Sequence, residues 1–283
     1  MPATLHKPLL LVAFLLVLFA FSNFFSSDRG PVSAAPAPIL SVSGEPDVVS
    51  ASAYAIFALS DGTILASDNT TAVLPIASVT KLATAASIVK NANLEETVTV
   101  TTSDLLAEGR AGKLAVGEEY TMRELLFPLL LESSNDAAAV YERATDDAVI
   151  TQMNQLVEEA GMTTTHFADA SGLSDRNVST VSDLVTFMQY LTKEHQSVLD
   201  ITRLKTHVGP YSGLVNNSPV IDGGYLGGKH GYTVAADRTL AAVFEEQLGA
   251  GPVEVGYVIL GSENLVADTE ILRSFVRDSV RFE

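Results

Sequence analysis

The sequence predicts an α/β domain in which an antiparallel sheet, flanked by helices, carries an all-helical subdomain inserted into its middle. Two observations lead there. Strand patterns occur near both ends of the chain, and the stretch between them is dominated by helical patterns. A third completes the picture: neither an internal repeat nor a second flexible linker divides the chain beyond its first fifty residues. The default place for a site in such a layout is the cleft where sheet and helical insert meet.

The 283 residues are 47% hydrophobic, enough for a substantial core. Acidic side chains outnumber basic ones 34 to 17, and the net charge of −17 argues against a nucleic-acid partner, which requires clustered Lys and Arg. Cysteine is absent, which removes disulfides, thiolate metal sites and cysteine nucleophiles together. The histidines are scattered without a zinc-binding spacing, so neither a metal nor another cofactor is expected. The acid pairs Glu118–Glu119, Asp146–Asp147, Glu158–Glu159 and Glu245–Glu246 sit in polar contexts and read as solvated surface.

At the N-terminus, His6 and Lys7 precede an apolar run from Leu9 to Phe21. This reads as an export signal over residues 1–27, either a cleaved signal peptide or an uncleaved anchor, since Phe24 and Phe25 extend the run toward membrane-spanning length. Residues 28–47, rich in Ser, Pro and Ala, follow as an extracytoplasmic linker, and 48–283 form the folded domain. Either export reading places that domain outside the cytoplasm, in solution or tethered to the membrane.

Within the domain, "SAYAIFALSDGTILASDN" alternates as two strands turning at Asp61–Gly62. Residues 78–90 form a helix buried nearly all round, because it carries almost no charge before Lys90. Residues 97–116 read as irregular or short-strand structure. "TMRELLFPLLLESSNDAAAVYERA" gives two helical pieces broken near Ser133, the second capped by Ser134 or Asn135. Further helices are expected over 146–160 and from Ser182 to about Thr192. The next fifty residues turn strand-like, "TLAAVFEE" and "VEVGYVILG" pair as neighbouring strands, and residues 264–280 close the chain as an amphipathic helix.

Three polar signals stand out. In Ser78-Val79-Thr80-Lys81 the hydroxyl and the amine are three residues apart and share one helical face. Burial lowers a lysine pKa, and a neutral amine can take the serine proton. The second signal is Ser133-Ser134-Asn135, in the break between two helices. The third is "LGGKHGYT", where Gly231 two residues after Lys229 marks a strand approached closely by another backbone or a ligand. Each alone is as easily a helix cap or a glycine turn. Their order and spacing give them weight.

With its S-x-x-K, S-x-N and K-x-G motifs in this order, the chain resembles the penicillin-recognising serine hydrolases. Within them it is most similar to the D-alanyl-D-alanine carboxypeptidases of the low-molecular-mass penicillin-binding proteins. "ASVTKLATA", "LLLESSNDAA", "FADASGLSD" and "GGKHGYT" carry the likeness, which spans roughly residues 50–280. The resemblance implies a β-lactamase/transpeptidase-like fold and a peptidoglycan stem peptide ending in D-Ala-D-Ala as substrate, with β-lactams as covalent inhibitors. It assigns Ser78 as nucleophile, Lys81 as base and Ser133 as proton relay. Asn135 would hold the substrate amide, Lys229 its terminal carboxylate while keeping Lys81 neutral, and the Ser78 and Tyr232 backbone N–H groups the oxyanion.

The sequence departs from the family at His230, where threonine is usual, and at Ser134, where glycine is common. The imidazole is larger than the hydroxyl it replaces and titrates near pH 6.5 when unperturbed. It either substitutes for that hydroxyl in binding the carboxylate or narrows the pocket. Three other readings stand beside the carboxypeptidase: a DD-endopeptidase or a β-lactamase of the same fold, and a wall-binding module disabled by His230.

Overall fold

The computed structural model describes residues 40–109, 112–249 and 251–282; the apolar N-terminal run and most of the linker lie outside them. Within the stretch read as linker, β1 (Leu40–Val42) is a strand. The predicted hairpin is β2 (Ala53–Ala58) and β3 (Ile64–Asp68). Its turn is fixed by Gly62 at φ +77° and by Asp61, whose carboxylate accepts the Thr63 N–H at 2.9 Å.

A two-residue strand, β4 (Leu74–Pro75), leads through a 3-10 turn at Ala77–Val79 into α1 (Thr80–Asn91). Every residue of α1 from Thr80 to Ile88 is buried, as the lack of charge predicted. Its alanines let neighbouring elements close in on all sides. The short pair β5 (Thr97–Thr99) and β6 (Glu119–Thr121) precedes α2 (Leu126–Leu131) and α3 (Asn135–Ala144). Ser134, not Asn135, is the cap: its Oγ accepts the Ala137 N–H at 3.0 Å.

The helix expected over 146–160 starts later, as α4 (Ala148–Glu159), because Asp146 and Asp147 both adopt positive φ and form a turn. After β7 (Val178–Ser179), which pairs with β4, α5 (Val181–Glu194) starts one residue ahead of the expected Ser182 and is capped by the Thr180 hydroxyl. The strand-like reading of the next fifty residues missed α6 (Gln196–Arg203). Its eight residues are too few to show a clear period against the surrounding Thr and Val.

The hairpin β8 (Thr206–Val208) and β9 (Gly213–Val215) then leads to the long strands β10 (Tyr225–Thr233), β11 (Asp237–Leu248) and β12 (Gly251–Ser262). Helix α7 (Leu265–Ser279) and β13 (Val280–Phe282) complete the fold, β13 pairing with β1.

The five-stranded sheet is antiparallel throughout, in the order β10-β11-β12-β2-β3. Its two faces feed separate cores, as period-two alternation requires. Phe57, Ala241, Val243, Val258 and Leu260 face the helical insert. Ile56, Leu240, Phe244, Tyr257 and Ile259 face α7. Lys229 pairs in register with Ala241, so its side chain joins the helical side. One of the acid pairs read as surface is corrected here: Glu246 is only 1% exposed and is held in the α7 core by Arg273.

Candidate active site

The site forms where β10, the first turns of α1, the α2–α3 junction and the loop 169–177 converge. Ser78 lies in the 3-10 turn and Lys81 in the first turn of α1, and the Lys81 Nζ donates to Ser78 Oγ at 3.1 Å. Two further acceptors fix the amine: Asn135 Oδ1 at 2.8 Å and the Ser171 carbonyl at 2.5 Å. Lys81 is fully buried, and burial brings its pKa down to about 7, against an opposing pull from Asp169.

The backbone around Ser78 is tightly cornered. Ala77 is held at φ +47°, a conformation that a non-glycine residue seldom adopts. A Cβ on Gly231 would come within 2.5 Å of the Ser78 nitrogen, and one on Gly172 within 2.1 Å of the Ala77 carbonyl oxygen. Only glycine fits on either side of that peptide. Thr239 reinforces the contact by donating to the Ile76 carbonyl at 2.9 Å.

Ser133 also has positive φ, +59°, which turns the chain sharply between α2 and α3. Asn135 is buried with both ends of its amide engaged: Oδ1 accepts from Lys81 Nζ, and Nδ2 donates to the Glu108 carbonyl at 2.7 Å. On β10, Lys229 is 2% exposed and donates to the His230 carbonyl at 2.8 Å.

Burial, then the charge of Lys81, pushes the Lys229 amine well below its usual range. Desolvation is the leading cause at both amines, and the repulsion between Lys81 and Lys229 disfavours their both being charged. The His230 imidazole is held far below its ordinary range by burial, Lys229 and Lys81 in that order. It is neutral at physiological pH. Its expected titration near pH 6.5 is replaced by a fixed, uncharged donor and acceptor.

Ser78, Ser133, Asn135, His230, Gly231 and Tyr232 line one cleft of about 800 Å³. Lys81 and Lys229 lie buried, held by the hydrogen bonds just described. The loop 169–177, whose wording carried part of the resemblance without a role for its residues, supplies a further wall. Its pattern, Asp followed by Ser-Gly and then Asn, is a turn signal that sequence alone could not place beside Lys81. No group of three or more side chains suited to a metal ion occurs among the described residues.

The sequence profile of the D-alanyl-D-alanine carboxypeptidase family (peptidase family S11) matches residues 41–263. The chain belongs to this family. Among its relatives, a D-alanyl-D-alanine endopeptidase of Haemophilus influenzae is 33% identical over 172 residues, covering 59% of this chain and 57% of that protein. The D-alanyl-D-alanine carboxypeptidase DacB2 of Mycobacterium tuberculosis is 31% identical over 192 residues, covering 64% of this chain and 66% of that protein. The matches thus span between a little over half and two thirds of these two relatives' lengths.

Among solved structures, penicillin-binding protein D2 of Listeria monocytogenes in its cefotaxime-bound form superposes with a TM-score of 0.72 at 27% identity, covering 82% of this chain and 99% of that one. The transpeptidase-like fold class is therefore the observed one.

Proposed function

We propose that the protein is an exported serine-type D-Ala-D-Ala carboxypeptidase that trims peptidoglycan stem peptides through an acyl-enzyme on Ser78. The observation that carries this reading is a buried amine with a pKa of about 7, 3.1 Å from a half-exposed serine hydroxyl in an open cleft. An exposed lysine would be protonated and unable to accept; this one is half neutral near pH 7.

Ser78 Oγ bonds to the carbonyl carbon of the penultimate D-alanine as its proton passes to Lys81 Nζ. The Ser78 and Tyr232 N–H groups receive the oxyanion, each such donor contributing roughly 3 kcal/mol. Collapse breaks the C–N bond, and Ser133 relays the proton from Lys81 to the departing amine. Water then attacks the ester, returning Ser78 and releasing the shortened peptide. Asn135 steadies Lys81 and offers its remaining lone pair to the substrate amide. Lys229, with the neutral His230 and the small Gly231 beside it, receives the terminal carboxylate.

The endopeptidase name carried by three relatives supports a second reading, in which the scissile bond lies in a cross-link instead of at a free terminus. Fluorescent penicillin separates enzyme from binding module: a stable adduct is expected on the wild type and none on Ser78→Ala. Released D-alanine from a pentapeptide, compared with monomer released from a cross-linked dimer, separates the two peptidases. An unlabelled wild type that releases neither product refutes both.

A further inference from the structure

We propose that Asp169 is the positioning residue of this site: its carboxylate knots the loop 169–177 into the wall that holds Lys81 and Ser78, and is the counter-charge to the buried amine. The inference rests on the reading of Lys81 as the base for Ser78, and it concerns how that base is held.

The knot is dense. Asp169 Oδ1 accepts from the Ser171 N–H at 2.8 Å, the Ser171 hydroxyl at 2.9 Å, the Gly172 N–H at 2.6 Å and the Asn177 amide at 3.2 Å. Oδ2 accepts from the Ser174 N–H at 2.7 Å. Asn177, fully buried, ties the same loop to α1: its Oδ1 accepts the Ala168 N–H at 2.7 Å, and its Nδ2 donates to Thr80 Oγ1 at 3.2 Å. One carboxylate thus gathers three of the loop's backbone N–H groups, which would otherwise be left unsatisfied next to a buried helix.

Three products of the knot reach the chemistry. The Ser171 carbonyl accepts a hydrogen bond from Lys81 Nζ at 2.5 Å, and the Ala170 carbonyl accepts one from the Thr84 hydroxyl at 2.7 Å. Gly172 lies against the Ala77–Ser78 peptide with no room for a side chain. Release the knot and both the base and the nucleophile lose a wall.

Among the described residues, few charged groups face Lys81. From β10 come Lys229 and the neutral His230; from the loop comes Asp169. Helix α3 brings Asp136, next to Asn135, and Glu142, which accepts the Ala170 N–H at 2.6 Å. Burial raises the Glu142 pKa, with Asp169 and Asp147 adding to it, so Glu142 is easier to neutralise than an ordinary glutamate. Burial lowers the Lys81 pKa, and Asp169 is the group that pulls the other way.

The test compares wild type, Asp169→Asn and Asp169→Ala by two measurements: an NMR titration of the Lys81 ε-carbon and the rate of acylation by fluorescent penicillin across pH. Asparagine keeps the Oδ1 acceptor and loses the charge and the Ser174 contact. It is expected to move the Lys81 midpoint and the acid limb of acylation together to lower pH. Its plateau stays within about tenfold of wild type, the weight of one contact. Alanine loses the whole knot, and its plateau is expected to fall by about 10²-fold, the usual cost of a small misplacement of reacting groups, with faster amide exchange over 170–174.

Coinciding Lys81 midpoints in wild type and Asp169→Asn would overturn the counter-charge. A folded Asp169→Ala acylating as fast as Asp169→Asn would overturn the positioning role. If alanine prevents folding, the asparagine variant still decides through its midpoint. Should the wild type take no label, the proposed function fails, while the NMR midpoints still judge Asp169.

Discussion

Lys81 shows how a single side chain is retuned by where it sits. Free in water its amine holds a proton to about pH 10.4, and full burial lowers that to about 7. Only the neutral amine can accept from Ser78, so the direction follows: below the midpoint the competent fraction falls about tenfold per pH unit. Acylation by a β-lactam is expected to rise through one protonation step near pH 7 and level off above it. Stopped-flow rates across pH 5 to 9 check this, and a limb near pH 10 would mean that the amine is solvated. His230→Thr should leave the limb single, because the imidazole is already neutral over that range. A second limb present in wild type and missing from the threonine variant would show that His230 titrates after all.

At the scale of elements, the junction of α2 and α3 joins a cap to a functional group. Ser134 caps α3 through the Ala137 N–H, and the next residue, Asn135, grips Lys81. Ser134→Ala removes the cap and is expected to cost about 1 kcal/mol, whereas Ser134→Gly, matching the commoner family residue, costs a few tenths. Urea unfolding at constant m distinguishes them, and equal losses would mean that packing, not capping, sets the cost. The cap was legible because Ser and Asn before an alanine-rich run are a local signal. So were the Asp61–Gly62 turn, the buried α1 and the three motifs. What escaped the sequence was of another kind. The start of α4 depends on two consecutive aspartates at positive φ, a conformation that Asp tolerates but that its presence alone does not dictate. Helix α6 is too short for its period to emerge. Asp169 and Asn177 act through contacts reaching back to α1, so their weight appears only once loop and helix are juxtaposed.

Across the whole molecule the sheet separates two cores, one feeding the site and one serving stability. The second is organised around a buried ion pair. Arg273 Nε donates to Glu246 Oε1 at 2.6 Å, its guanidinium lies 4.1 Å over the Phe244 ring, and it also pairs with Asp222. Glu246 further accepts from the Tyr257 hydroxyl at 3.0 Å and faces Arg277 at 3.6 Å. Its burial is invisible in the sequence, because Glu245–Glu246 looks like surface until strand register points one carboxylate inward. Removing a single partner of such a pair leaves a charge stranded among apolar neighbours, at a cost of roughly 3 kcal/mol. Arg273→Met keeps the bulk over Phe244 and should lower Tm by roughly 6 to 12 °C. Arg273→Met with Glu246→Leu should recover much of that loss, since two apolar groups strand no charge. Penicillin labelling of Ser78 at a permissive temperature should persist in both variants, because the pair lies across the sheet from the cleft. Unchanged Tm in the single variant would mean that the Arg277 charge and the Tyr257 hydrogen bond suffice to hold Glu246. Lost labelling in a folded variant would mean that the two cores are coupled through the sheet.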